Sequence, residues 1–155
     1  MQPGDLVPDF ALPDQDGAEQ RLSTLLADGP VVLFFYPAAM TAGCTKESCH
    51  FRDLEAEFAA LGARVVGISA DPVDKQAAFS VKHGFGYPLL ADPDKTVAGL
   101  LGVGRGLLGL SPLKRTTFVI DADRRVLARI ASEFKMDKHA DQALDVLRAR
   151  SSARR

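Results

Sequence analysis

Short apolar runs and longer amphipathic stretches follow one another along the chain. The run GPVVLFFYP (29–37) is apolar, aromatic and β-branched, and Gly–Pro and Pro bound it, so it predicts a buried strand. Four further runs predict strands: ARVVGISA (63–70), YPLLAD (87–92), RTTFVID (115–121) and RVLARIAS (125–132). A turn at 121–124 joins the last two strands into a hairpin.

Helical spacing appears between these strands. In 42–61 the apolar residues Phe51, Leu54, Phe58 and Leu61 recur at intervals of three and four, and Gly62 marks the end. In 71–84 the pattern favours a helix with Asp71 as N-cap, Pro72 in the first turn and Gly84 past its end. A short helix is expected at 94–102. A last one, capped by Asp137, carries Ala140, Leu144 and Leu147 on one face.

The order of these elements predicts the fold class. The strand–helix–strand unit at 31–70 requires parallel pairing, whereas the hairpin at 115–132 is antiparallel. We therefore expect one α/β domain over residues 1–150, with a mixed central sheet covered by helices on both faces. Residues 151–155 are basic and are expected to form a flexible tail.

Composition narrows the function classes. Hydrophobic residues make up 46% and charged residues 25% of the chain, and the formal net charge is −1, as in ordinary globular proteins. This balance gives no support to nucleic-acid binding. The N-terminus lacks the pattern of a secretory signal, and the longest apolar stretch (31–40) is too short for a membrane span. The sequence therefore predicts a cytoplasmic protein with no membrane or nucleic-acid partner.

The chain has two cysteines, Cys44 and Cys49, in the stretch TAGCTKESC (41–49). In an intact helix they would lie on opposite sides with Cα atoms roughly 8.6 Å apart. A disulfide requires Cα atoms within roughly 6.8 Å of each other. Either the thiols never bond, or the start of the helix unwinds when they do. The helical geometry leaves both possibilities open.

Cys44 lies in the first turn of this helix, where unpaired backbone N–H groups favour an anion. Thr41 is expected at the N-cap position. Glu47 points into the apolar face, where a lone carboxylate is costly, so we expect a cationic partner. Arg115 opens an apolar strand and is the best candidate. We hypothesise that Glu47 holds Arg115 over the Cys44 sulfur; the alternative is that Glu47 merely favours the helix N-terminus.

Four segments of the chain resemble one family. PAAMTAGC (37–44) is similar to the Pro-x-x-x-Thr-x-x-Cys signature of peroxiredoxins, which are thiol peroxidases with a thioredoxin-like fold. GCTKESCHFRD (43–53), PDFALPDQDG (8–17) and KRTTFVID (114–121) resemble the Q-type subgroup, also called bacterioferritin comigratory proteins. The resemblance covers nearly the whole chain, in the same order.

The resemblance implies a role for each matching residue. Cys44 would attack hydrogen peroxide or an organic hydroperoxide and become a sulfenic acid, while Thr41 and Arg115 stabilise the reacting atoms and Pro37 shields them from water. Cys49 would resolve the sulfenic acid by forming a disulfide with Cys44 after local unwinding. A thioredoxin-like dithiol would then reduce the disulfide. The family needs no metal or organic cofactor, and a resolving cysteine in the same helix favours a monomer while leaving a dimer open.

The chain departs from the family pattern beside the signature threonine. Ala38, Ala39 and Met40 replace residues that are often charged or polar, and Ala42 replaces a frequent proline. The resulting rim is more apolar, and we expect a preference for organic or lipid hydroperoxides.

Other functions have weaker support in the sequence. A general thiol–disulfide oxidoreductase would usually carry Cys-x-x-Cys, which is absent. A redox sensor whose helix switches without turnover stays open. A metal site at Cys44, Cys49 and His50 would need ligands on different sides of one helix, and His83 and His139 are expected at the surface. GVGRGLLG (102–109) is interpreted as a loop and not as a phosphate-binding site.

Overall fold

Seven strands form two sheets in the computed structural model, which describes residues 1–104 and 113–153. A small antiparallel hairpin pairs β1 (Ala11–Pro13) with β2 (Glu19–Arg21). The central sheet contains β3 (Val31–Phe35), β4 (Arg64–Ser69), β5 (Leu89–Ala91), β6 (Thr116–Ile120) and β7 (Val126–Ala131). Most of the loop expected at 102–109 lies outside the described residues.

The central sheet has the order β5-β4-β3-β6-β7 and is mixed. β3 pairs in parallel with β4, and β4 with β5, whereas β3–β6 and β6–β7 are antiparallel. The register pairs Phe35, the last residue of β3, with Thr116, the first residue of β6. Consequently the end of β3 and the start of β6 lie at the same edge of the sheet.

Within the described residues, six helices cover both faces of this sheet: α1 (Leu22–Leu25), α2 (Ala42–Asp53), α3 (Glu55–Ala60), α4 (Val73–His83), α5 (Thr96–Leu100) and α6 (Met136–Ala153). Alternate residues of β3 enter two apolar clusters. Leu33 lies in the cluster that α1 and α5 cover, and Phe34 in the one that α2, α3, α4 and α6 cover. The mixed α/β sheet expected from the sequence is confirmed.

The single helix expected at 42–61 is wrong in one respect, because it breaks at Leu54. The backbone there has φ −101° and ψ 5°, and its N–H is shared between the carbonyls of His50 and Phe51. Glu55 and Glu57 then lie in the first turn of α3, where carboxylates favour a new helix N-terminus. The apolar spacing continues across the break, so the pattern alone does not reveal it.

Asp71 is not the N-cap of α4, as the sequence led us to expect. Pro72 occupies that position with an extended backbone, and no side chain caps the helix. The Asp71 carboxylate instead accepts hydrogen bonds from the Ala39 backbone N–H and the Ser69 hydroxyl, both at 2.7 Å. A longer-range contact to the loop before α2 has replaced the local cap.

The flexible tail expected at 151–155 also needs correction, because α6 continues through Ala153. Arg150 anchors its last turns by an ion pair with Asp121 at 2.9 Å, in the turn between β6 and β7. Residues 154–155 lie outside the described part of the chain. Among the described residues, no helix is long and apolar enough to cross a membrane.

Candidate active site

Cys44 lies in the first turn of α2, directly after the loop that leaves β3. Its side chain is fully buried, with 0% of its surface exposed. Thr41 is the N-cap residue with an extended backbone, and its carbonyl accepts the Thr45 N–H at 2.9 Å. The free N–H groups and the positive end of the helix dipole therefore surround the thiol.

The Thr41 hydroxyl does not cap the helix, although Thr41 occupies the predicted N-cap position. It donates instead to the Ala38 carbonyl at 2.8 Å, within the loop. Thr41 is exposed, so its oxygen can accept a hydrogen bond from a molecule that enters from solvent. Met40, beside it, has a φ of +67° and is 40% exposed.

Arg115 immediately precedes β6 and reaches the thiol across the edge of the sheet. One terminal nitrogen, Nη2, lies 3.4 Å from the Cys44 Sγ, and the other, Nη1, donates to Glu47 Oε1 at 3.0 Å. Burial lowers the pKa of Arg115, but the charges of Glu47 and Cys44 outweigh it and raise that pKa. The structure thus brings together a cation, a buried carboxyl and a thiol that are distant in sequence.

Glu47 is fully buried on the inner face of α2. Burial raises the pKa of its carboxyl to about 8, and the Arg115 charge opposes this shift. Its second oxygen, Oε2, accepts no hydrogen bond and lies 3.5 Å from His139 Nε2. Arg115 is therefore the strong partner of this carboxyl, and His139 is a weaker one.

The expectation that His139 lies at the surface is wrong, because the side chain is fully buried. Its Nε2 lies 2.9 Å from the Ser132 carbonyl, which can only accept, so Nε2 carries the proton. Nδ1 then accepts from the Thr117 hydroxyl at 2.8 Å. Burial lowers the pKa of His139 to about 4, so the ring is neutral near pH 7.

The sequence contains an indication that His139 is buried. It lies four residues before Ala143 and eight before Leu147, so it belongs to the apolar face of α6. The same argument that singled out Glu47 on α2, a polar residue on an apolar face, applies to this histidine.

Pro37 follows β3 and is half-buried in the loop that leads to Thr41. Asp71 fixes the middle of this loop through the Ala39 N–H. Behind Asp71, the Ser69 hydroxyl accepts from the Gln76 amide at 2.9 Å. This buried polar network connects the loop before α2 with the ends of β4 and α4.

Cys49 lies in the same helix, one turn beyond Cys44, and is half-buried. Both thiols are free, and α2 is continuous between them. Cys49 packs against the apolar cluster that contains Tyr87, whose pKa is raised mainly by burial. Bond formation between the two sulfurs therefore requires α2 to change conformation.

An apolar side chain at the start of α6 packs beside the start of α2. A Cβ atom placed on Gly43 would lie 3.1 Å from Met136 Cε and 3.4 Å from Arg115 Nη2. Met136, the first residue of α6, therefore packs directly over the start of α2. The glycine leaves room for both the methionine and the guanidinium.

Residues 1–104 and 113–153 contain no group of three His, Cys, Asp or Glu side chains that could hold a metal ion. His50, weighed as a ligand beside the cysteines, instead pairs with Asp141 at 2.8 Å.

Known proteins match the chain over nearly its whole length. The profile of the AhpC/TSA family matches residues 3–129. The chain belongs to this family, as a peroxiredoxin of the Q type. The chloroplastic peroxiredoxin Q of Suaeda salsa is 40% identical over 94% of this chain and 67% of its own length.

Two solved structures extend the comparison. The peroxidoxin BcpB of Mycobacterium tuberculosis is 66% identical with a TM-score of 0.91, over 96% of this chain and 97% of its own. The bacterioferritin comigratory protein of Xanthomonas campestris is 29% identical with a TM-score of 0.82, over 92% of each chain. This peroxiredoxin thus has a thioredoxin-like fold and is a thiol-dependent peroxidase, acting on peroxides with a thiol reductant.

Proposed function

We propose that Cys44 is the thiol that attacks the peroxide, and that Cys49 resolves the product as an intramolecular disulfide. The observation that supports the first part is the position of the Arg115 guanidinium, whose Nη2 lies 3.4 Å from the Cys44 Sγ while its Nη1 donates to Glu47. A buried cation next to a sulfur stabilises a thiolate and the negative charge that develops on a departing oxygen.

In the first step the Cys44 thiolate attacks the terminal oxygen of the peroxide. An S–O bond forms, the O–O bond breaks, and the departing oxygen takes a proton to leave as water or an alcohol. Thr41 supports this step, because its hydroxyl donates to Ala38 and keeps an oxygen lone pair for the peroxide O–H. Pro37 and the loop after it would limit the access of water to the sulfenic acid that remains on Cys44.

In the second step the Cys49 thiol attacks the sulfenic sulfur, and water leaves as the disulfide forms. The start of α2 must unwind, because an intact helix holds the two cysteines too far apart. A dithiol reductant of the thioredoxin type then restores both thiols by exchange. A cytoplasmic location, as expected from the sequence, supplies such a reductant.

Stopped-flow peroxide consumption by the reduced protein, combined with intact mass under non-reducing conditions, tests both steps. We expect rapid loss of one peroxide per chain and a mass lower by two hydrogens. Cys49→Ser should react equally fast but stop at the sulfenic acid, whereas Cys44→Ser should lose the fast reaction. A fast reaction that survives in Cys44→Ser would refute the assignment.

We also propose a preference for organic hydroperoxides, because Met40 is exposed in the loop before α2 and Met136 packs against Gly43, the residue before Cys44. The related Xanthomonas campestris protein has been studied for its alkyl peroxide reduction activity. The rate constant of the first step should be higher for cumene hydroperoxide than for hydrogen peroxide, and Met40→Gln should narrow the difference. Equal rate constants for both peroxides would contradict the preference.

A further inference from the structure

The segment of α2 between the two cysteines contains only polar residues, Thr45-Lys46-Glu47-Ser48. Glu47 and Ser48 are buried, yet each has a buried oxygen without a hydrogen-bond partner, Oε2 and Oγ respectively. Unwinding this segment therefore gives up little apolar burial and returns two unpaired oxygens to water. The folded helix must be held here by specific contacts from outside.

Two groups of contacts hold this segment. Arg115 and His139 approach Glu47, at 3.0 and 3.5 Å. In addition, the Tyr87 hydroxyl donates to the Ser48 carbonyl at 2.6 Å. Arg115 also contacts the Cys44 sulfur, so changing it would alter the attack on the peroxide as well. The described contacts of Tyr87 include none with Cys44.

Tyr87 is well suited to hold the helix because its own position is fixed. It is 2% exposed, and its ring stacks on Phe85 at 5.3 Å between centroids and meets the edge of Phe34 at 5.8 Å. Its backbone is fixed as well, since Gln15 bonds the Tyr87 carbonyl and the Leu89 N–H. The hydroxyl is thus presented to α2 from a rigid support.

We propose that the Tyr87 hydroxyl is a positioning group for the second step of catalysis: by holding the Ser48 carbonyl it sets how readily α2 unwinds to bring Cys49 to Cys44. The inference rests on the proposed function of the two cysteines. It identifies the contact that slows resolution without serving the attack on the peroxide.

This contact also determines the fate of the sulfenic acid. Cys49 can attack it, forming the disulfide and releasing water. Alternatively, a second hydroperoxide can oxidise it to the sulfinic acid, releasing one alcohol, or water when the oxidant is hydrogen peroxide. A helix that unwinds slowly leaves the sulfenic acid exposed to the second reaction for longer. Tyr87 therefore increases sensitivity to overoxidation.

Tyr87→Phe tests the proposal, because it removes the hydroxyl and retains the ring. Rapid acid quenching after one equivalent of hydrogen peroxide, followed by intact mass, separates dithiol, sulfenic acid and disulfide. We expect disulfide formation about two- to tenfold faster, the factor that corresponds to one neutral hydrogen bond. The rate constant of peroxide attack should not change. The peroxide concentration that overoxidises half of the chains per turnover should rise by the same factor.

Two further variants make the test specific. Tyr36→Phe is the matched control for the loss of a buried tyrosine hydroxyl, since Tyr36 belongs to the same aromatic cluster but donates to Gln76, in the network behind the loop before α2, and not to α2 itself. Its rate of disulfide formation should equal that of the wild type. Ser48→Ala removes an unpaired buried hydroxyl and favours the helix, so it should slow disulfide formation.

The outcomes distinguish the inference from the proposed function. The role of Tyr87 would be overturned if Tyr87→Phe formed the disulfide at an unchanged or slower rate, or if its rates of disulfide formation and peroxide attack changed in parallel. Such a result would leave the proposed function of the two cysteines intact. A wild-type protein that consumes peroxide without forming the disulfide would overturn the proposed resolution by Cys49. If Tyr87→Phe does not fold, Ser48→Ala becomes the deciding variant. Faster disulfide formation in Ser48→Ala than in the wild type would then count against the proposal.

Discussion

Glu47 combines a buried carboxyl with a single strong cationic partner. Burial raises its pKa to about 8, above the ordinary value of 4.5. A group whose pKa is raised by folding stabilises the protein in its protonated form, and this stability is lost as the pH rises through the folded pKa. Near pH 7 the carboxyl is therefore mostly protonated, and its Oε1 accepts the Arg115 Nη1–H and orients the guanidinium. Above about pH 8 the ionised carboxylate forms an ion pair with Arg115.

We expect Glu47→Gln to slow the attack on peroxide by about tenfold or more above about pH 8, because the amide cannot form the ion pair by which ionised Glu47 holds Arg115 at the sulfur. The fall in unfolding free energy between about pH 4.5 and 8, which the raised pKa of Glu47 causes, should also become smaller. Stopped-flow rates, the pH profile of Cys44 alkylation and urea denaturation measure these effects.

Glu133→Gln is the matched control, since Glu133 accepts the backbone N–H of Arg115 at 3.1 Å and not its guanidinium. If Glu47→Gln left both the rate and the alkylation profile as in the wild type, Glu47 would have no part in positioning Arg115.

His139 predicts an acid-sensitive contribution to stability. Its pKa is lowered from 6.5 to about 4, so it stabilises the fold fully above about pH 6.5, and this stability is lost as the pH falls through about 4. This lowering of the His139 pKa corresponds to a contribution of at most about 3 kcal/mol to the unfolding free energy. The unfolding free energy of His139→Gln, measured from pH 7 to 4, should fall less than that of the wild type. An equal fall would show that other groups carry the acid sensitivity.

At the residue scale, the sequence allowed the prediction of charged partners that lie on otherwise apolar elements. A carboxylate on an apolar helix face requires a cation, and the arginine that begins an apolar strand requires an anion, so the pair Glu47 and Arg115 was predictable. His139 and Tyr87 were not predicted as neighbours of α2. Their roles depend on which side chains face them from distant elements, and spacing along one element does not give that.

The loop between β3 and α2 illustrates how one element depends on another. Asp71, at the end of β4, uses one oxygen to accept both the Ala39 N–H and the Ser69 hydroxyl, and Lys75 lies 3.3 Å from the other. An asparagine would place an amide where one of these oxygens lies, and it would lack the charge that strengthens the bonds.

Asp71→Asn should therefore loosen the loop that carries Thr41. We expect a loss of about 1–3 kcal/mol in unfolding free energy and a severalfold slower attack on peroxide. The control is Asp74→Asn, an exposed change in the first turn of α4 that should affect neither quantity. Urea denaturation and stopped flow provide the comparison. A destabilised variant with an unchanged rate of attack would show that the network serves stability only.

Among the elements, the central strands and most helices could be predicted, including the short β5 and α5, whereas β1, β2 and α1 could not. β3, β4, β6 and β7 have apolar runs bounded by turn residues, and α4 ends at Gly84 with a left-handed backbone, as expected. β1 and β2 have three residues each, too few for a periodic pattern. Asp14 supports their turn by accepting two backbone N–H groups, a tertiary detail that the pattern does not reveal.

At the scale of the molecule, the topology explains why residues 71 positions apart in sequence meet at one sulfur. β3 and β6 are antiparallel neighbours at the centre of the sheet, so the end of one strand lies beside the start of the other. The loop after β3 leads to Cys44, and Arg115 directly precedes β6. The predicted strands implied a mixed sheet, but the order of the strands came only from the structure.

The two thiols that we propose to react belong to one helix of one chain, which predicts how the rate of disulfide formation depends on protein concentration. Because Cys44 and Cys49 are joined by four residues, their encounter after unwinding is intramolecular and has a high effective concentration. Disulfide formation should be first order, with the same rate constant from about 1 to 100 μM chain, and should yield only single-chain products.

An equimolar mixture of Cys44→Ser and Cys49→Ser should recover neither cross-linked chains nor turnover with a dithiol reductant. Recovery of turnover in that mixture would place the resolving thiol on a second chain and make an assembly of chains part of the mechanism.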